Sequence, residues 1–147
     1  KTLDVDRFIA MMAMESLTCH IDGYSQMQNN YRIYFEPASG KAVFMVHGLD
    51  QMFGRPDAPL DPPLRGALSL AIMGTPEGRQ AYHQRLADLA KDIFRPEWMA
   101  ERIDAAIRVF EPVDAVAARD ARLFRERVLA RVAFVRNSMV ATTSPAS

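Results

Sequence analysis

The sequence is short of the residues that would brace a chain covalently or carry it through a bilayer. Its one cysteine, Cys19, among 147 residues excludes an internal disulfide and offers no paired-thiolate zinc spacing. The longest unbroken apolar run, Phe8 to Met14, falls far below the ~18 residues of a bilayer span, and no charged-then-apolar leader precedes it. No membrane span is expected. An excess of either charge is also missing: 18 basic residues balance 18 acidic ones. A nucleic-acid partner is therefore excluded, because such binding rests on a concentrated basic surface. Lysine is scarce, limited to Lys1, Lys41 and Lys91, and none of these follows a glycine-rich loop. Internal repeats are absent.

What remains is an ordinary globular composition, 49% hydrophobic, in a chain long enough to bury about 70% of its unfolded surface without cross-links. Val5, Phe8, Ile9 and Met12 recur at helical spacing behind Asp4 and Asp6, which predicts a first helix from about Asp4 to Thr18. The polar stretch Tyr24 to Asn30 has no apolar period and reads as a loop. Tyr31, Ile33 and Phe35 alternate, Pro37-Ala38-Ser39-Gly40 supplies turn chemistry, and Ala42 to Val46 is continuously apolar. This is a β-hairpin whose second strand is expected to be buried on both faces.

Four prolines between Gly54 and Pro63 mark a long connection. Helices follow: Leu64 to Met73 closed by Gly74, one opened by Thr75-Pro76-Glu77, one opened by Arg95-Pro96-Glu97, and a last one from Glu111-Pro112 that turns Val113, Val116, Phe124, Val128, Val132 and Val135 inward. Tyr82, Leu86, Leu89, Met99, Ile103, Phe110, Phe124, Val128 and Val132 form the expected bundle core. Six arginines from Arg119 to Arg136 read as a solvated helix face. The fold class is α+β, mainly α: a helical bundle with one β-hairpin. Residues 1–140 form the domain and 141–147 a disordered tail. The start at Lys1, running almost directly into an amphipathic pattern, reads as a piece of something longer.

Chemistry gathers around the hairpin, in His20-Ile21-Asp22-Gly23 before it and His47-Gly48-Leu49-Asp50-Gln51-Met52-Phe53-Gly54 after it. Antiparallel strands bring their outer ends together, so Asp22, Asn29 or Asn30, and Asp50 are expected on one edge. Two carboxylates and a carboxamide suit a hard cation such as Mg²⁺, which keeps waters that phosphates can replace. A plainer reading makes Asp22-Gly23 and Asn29-Asn30 turns and Asp50 a cap. Another makes His20, Asp22, His47 and Asp50 the mixed nitrogen and oxygen ligands of a metal-dependent hydrolase. His20 and His47 stand among apolar residues, where a packed or hydrogen-bonded histidine is commoner than a ligand.

Asp4-Val5-Asp6-Arg7-Phe8-Ile9, His20-Ile21-Asp22-Gly23-Tyr24, Asn29-Asn30-Tyr31-Arg32-Ile33-Tyr34 and His47-Gly48-Leu49-Asp50-Gln51-Met52-Phe53-Gly54, in this order, resemble the spore-coat protein H (CotH) kinase family over residues 4–54. The later helices are similar in pattern only. The resemblance implies an atypical protein-kinase-like C-lobe that uses ATP and Mg²⁺ or Mn²⁺ to phosphorylate Ser or Thr of a protein substrate. It implies Asp22 as the catalytic Asp and Asp50 as the metal-binding Asp. Asn30 implies a further metal and nucleotide contact, with Asn29 in reserve. Gly48 stands where many members carry another Asp. The lysine that holds the phosphates has no counterpart, so the resemblance implies a missing N-lobe of the same chain and an inactive fragment. A cell-surface or secreted location is compatible with it. A family member that has lost catalysis and serves as a structural or interaction module is the alternative, and Gly48 favours it.

Overall fold

The computed structural model describes residues 2–143. The chain divides into two units, one through Met52 and from Ala58 to Leu89, the other made of Phe53–Asp57 and the sequence from Ala90 onward.

In the first unit, α1 (Val5–Leu17) begins where Asp4, in extended conformation, accepts the Arg7 N–H at 3.2 Å. That is the N-cap expected from an acidic residue ahead of an apolar stripe. The stripe buries Phe8, Met12 and Leu17 almost completely. A one-turn helix, α2 (Tyr24–Met27), replaces the first part of the expected loop, ending at Gln28 in the left-handed region. The hairpin is present: β1 (Tyr31–Phe35) pairs antiparallel with β2 (Ala42–Val46), Tyr31 opposite Val46 and Phe35 opposite Ala42. Residues 2–4 run along β2, with Asp4 N–H donating to the Ala42 carbonyl at 2.9 Å.

Phe44 fixes the hairpin on α1. Its ring meets Phe8 edge-on at 5.0 Å, Tyr24 edge-on at 5.0 Å, and stacks on Tyr31 at 5.5 Å. Such pairs add about 0.5–1.5 kcal/mol each beyond burial. Only Val43 and Phe44 of β2 are buried, whereas Met45 and Val46 are exposed. The expectation of a strand buried on both faces therefore holds for its middle alone, because α1 covers a short stretch of a two-stranded sheet. After the proline-rich connection, Arg65 and Gly66 N–H groups donate to the Ser25 carbonyl at 2.9 and 3.1 Å. The next helix, α3 (Ala67–Met73), starts later than Leu64 for that reason. Thr75 Oγ1 accepts the Gly78 N–H at 3.0 Å and opens α4 (Pro76–Ile93) as predicted. From α4, Tyr82 donates its hydroxyl to the Leu60 carbonyl at 2.6 Å and lies 2.8 Å from Ser16 Oγ.

The second unit packs α5 (Pro96–Phe110) on α6 (Ala115–Thr143). Phe53 is buried beside Phe94 and meets Phe124 edge-on at 5.6 Å. Val128, Val132 and Val135 are buried as expected, but Val113 and Val116 are exposed. The cause is a later helix start: Asp114 Oδ1 caps α6 by accepting the Val116 and Ala117 N–H groups at 3.0 and 2.9 Å. Of the expected core, Tyr82, Leu86, Val128 and Val132 are buried, Leu89, Met99, Ile103 and Phe124 are half-buried, and Phe110 is exposed. Ile107 takes the inward position on α5. Arg131 departs from the solvated arginine face. It is fully buried, donating to the Pro56 carbonyl at 3.0 Å. The last helix runs to Thr143, and residues 144–147 of the expected tail lie outside the described residues.

Candidate functional site

The site lies in the first unit, where α1 ends and the hairpin begins. After Leu17 the chain turns through Cys19, Asp22 and Gly23, makes the single turn of α2, and enters β1 through Asn30. Gln28 and Asn30 both have positive φ, 55° and 43°. Asn tolerates that region because its short side chain bonds locally.

Here the partner is Asp22. Asn30 Nδ2 donates to Asp22 Oδ2 at 2.6 Å, and Asn29 Nδ2 lies 3.1 and 3.2 Å from Oδ1 and Oδ2. Asp22, Asn29 and Asn30 are thus brought together, with both side-chain amides on the one carboxylate. A carboxylate oxygen has two lone pairs. Among the described residues Oδ1 meets only the Asn29 amide, so it retains the capacity to accept from an incoming hydroxyl.

The second segment reaches the same place through Asn30. His47 N–H donates to the Asn30 carbonyl at 2.9 Å, extending the hairpin pairing by one bond. Gly48 follows with φ +60°, and a Cβ built there would stand 2.7 Å from Asn30 Cγ and Oδ1. The Asn30 carboxamide therefore occupies the space that a side chain at 48 would need. Asp50 sits two residues on, exposed, in a 3₁₀ turn (Leu49–Gln51). Its carboxylate makes no hydrogen bond or ion pair among the described residues.

The histidines do not complete a ligand set. His20 is 1% exposed with neither ring nitrogen hydrogen-bonded. His47 is exposed, its Nε2 3.3 Å from Arg32 Nη2. Among the described residues no group of three or more His, Cys, Asp or Glu could hold a metal ion. The hydrolase arrangement of His20, Asp22, His47 and Asp50 is therefore not formed, since one histidine is packed in the core and the other faces an arginine.

One residue beneath the site escapes a motif reading. Glu15, on the buried stripe of α1, is 1% exposed and accepts N–H groups from Tyr24 and Ser25. Burial pushes its carboxyl above the ordinary carboxylate range, and hydrogen bonds from Ser25 and Tyr24 pull it partly back. An acid placed three residues after Met12 and seven after Phe8 was the available signal, because a charge on an apolar stripe needs a buried partner.

No curated protein matches the chain. The family model described as CotH kinase protein matches residues 1–123, well past the hairpin and into α6.

Proposed function

This chain belongs to the CotH kinase protein family, and from that membership we propose that it is a kinase-like C-lobe. In the intact protein it would transfer the ATP γ-phosphoryl group to a Ser or Thr hydroxyl of a protein substrate. The observation that supports this reading is the Asp22 carboxylate, oriented by two carboxamides and retaining a free lone pair on Oδ1. Phosphoryl transfer asks a protein mainly for positioning and charge stabilisation. Asp22 would orient the acceptor hydroxyl and take its proton. Its fixed rotamer removes the cost of placing that base at the moment of reaction.

Oxygen donors of this kind suit Mg²⁺ or Mn²⁺, hard cations that keep waters which phosphates can replace. Asp50, exposed and without a partner among the described residues, and the side-chain Oδ1 of Asn30, with Asn29 beside it, would hold the ion. Bound there, a divalent ion supplies charge neutralisation to the ATP phosphates. The phosphate-holding lysine is assigned to an N-lobe outside this sequence, since Lys1, Lys41 and Lys91 lack a glycine-rich loop before them. On this reading the 147 residues alone do not transfer phosphate.

A second reading, a non-catalytic structural or interaction module, is favoured by Gly48, where the packing of Asn30 leaves no space for a second carboxylate. Radiolabelled ATP transfer by the intact protein, beside nucleotide-binding calorimetry, separates the two. Asp22→Asn should keep nucleotide binding and slow transfer by something on the order of 10² to 10⁴, the usual contribution of a positioned base. Unchanged transfer in that variant removes Asp22 from the reaction. An intact protein that neither binds nucleotide nor transfers phosphate is the module.

A further inference from the structure

Glu15 holds the chain on both sides of Asp22. Its main-chain carbonyl accepts the His20 N–H at 2.8 Å, two residues before Asp22. Its carboxylate accepts the Tyr24 N–H at 2.9 Å on Oε1 and the Ser25 N–H at 3.0 Å on Oε2, two and three residues after. Those N–H groups belong to the first turn of α2, a helix of four residues. So short a helix does not sustain itself, because its two bonds, Met27 N–H to the Gly23 carbonyl and Gln28 N–H to the Tyr24 carbonyl, do not offset the fixing of a whole turn. The buried carboxylate supplies what the turn lacks, satisfying two N–H groups that have no partner within the helix.

Gly23 makes the approach possible. A Cβ on it would stand 2.4 Å from Glu15 Oε1, 2.6 Å from Cδ and 2.9 Å from the His20 ring. The His20 ring fills the adjoining space without a hydrogen bond of its own. Glu15 thus bonds the chain on both sides of Asp22, beside the turn's own bonds from Ile21 N–H to the Cys19 carbonyl at 2.9 Å and from Gly23 N–H to the His20 carbonyl at 3.1 Å, while Asn29 and Asn30 bond the Asp22 carboxylate itself.

We infer that Glu15 is the positioning residue for Asp22, its buried carboxylate setting the turn that delivers Asp22 to Asn29 and Asn30. The inference rests on the reading of Asp22 as the base, and its test separates the two. Burial raises the Glu15 carboxyl above its ordinary value, and the bonds from Ser25 and Tyr24 oppose that shift.

The first measurement needs no activity. In the 147-residue chain, the side-chain amide resonances of Asn29 and Asn30 report where Asp22 stands. In folded Glu15→Gln they should shift, and amide exchange at Tyr24 and Ser25 should accelerate at least tenfold. The same resonances unmoved in a folded variant overturn the inference. Should Glu15→Gln fail to fold, Gly23→Ala decides the matter, since its methyl displaces the carboxylate while leaving the charge; unmoved Asn29 and Asn30 resonances there overturn the inference equally. The second measurement is in the intact protein. Glu15→Gln should lower kcat by about 10²-fold, the scale of a small misplacement of a reacting group. In an Asp22→Asn background it should lower kcat little further, because both changes act through one residue. Full additivity would mean that Glu15 serves stability alone. An intact protein without phosphoryl transfer removes the kinase reading and leaves the resonance test standing.

Discussion

Asp22, Asn29 and Asn30 could be picked out from the sequence because their chemistry is displayed in short polar segments flanking an apolar hairpin. Glu15 was passed over although its place on the apolar stripe of α1 was a signal, because its partners Tyr24 and Ser25 come from a later segment, whereas the packed His20 agrees with the reading of a histidine among apolar residues. Gly48 is a case where residue identity was visible and its physical meaning was not. Its positive φ and the 2.7 Å approach of Asn30 to a Cβ show a glycine kept for contact. Gly48→Ala should therefore cost stability by about 1 kcal/mol or more from the left-handed backbone alone, and displace Asn30 from Asp22. Urea unfolding with the Asn30 side-chain amide resonance as reporter checks both; an unshifted resonance would contradict the packing argument.

Glu15 also predicts a pH dependence. Its carboxyl is raised above the ordinary value of 4.5, mainly by burial. A raised folded-state pKa means that its stabilising contribution is complete below the ordinary value and is lost as pH rises through the folded value. Gln does not titrate. The stability of the native chain relative to Glu15→Gln should therefore fall as pH is raised above the ordinary value of 4.5. Thermal unfolding of the two chains across that range checks the sign, and a relative gain for Glu15 would mean that hydrogen bonds outweigh burial.

Among the elements, those with local start signals were readable and those set by packing were not. Asp4, Thr75 and Pro96 mark helix starts within a residue or two of where they occur. The start of α6 was missed because Glu111-Pro112 resembles a helix opening, whereas Asp114 has the side-chain oxygen that bonds the first turn. Arginine spacing along α6 suggested a uniform outer face, yet Arg131 is buried against the Phe134 ring and the Pro56 carbonyl. A guanidinium can be buried when its donors are satisfied and its flat face is stacked. Arg131→Ala should destabilise the second unit by about 3 kcal/mol, combining a lost charge-assisted bond with a cavity. A urea midpoint within error of the native chain would show that the buried arginine contributes nothing net.

Across the chain, the mainly helical class with one hairpin followed from periodicity and turn chemistry, because these signals are local. The division into two units did not follow, since it depends on long-range packing that brings Phe53–Asp57 to α6 and its neighbours rather than to the segments beside them. The family match runs from the first residues to position 123, so it takes in the motif segments, α3 to α5 and the start of α6. The proposed chemistry rests on Asp22, Asn29, Asn30 and Asp50 near the hairpin, and Asp50 is the one whose carboxylate makes no hydrogen bond or ion pair among the described residues. The direct measurement is Mg²⁺-dependent transfer from radiolabelled ATP by the intact protein and by its Asp50→Ala variant at equal concentrations. Transfer by the intact protein that falls to background in Asp50→Ala, in a variant that unfolds at the same temperature as the native protein, is the predicted result. Equal transfer by the two proteins would contradict it.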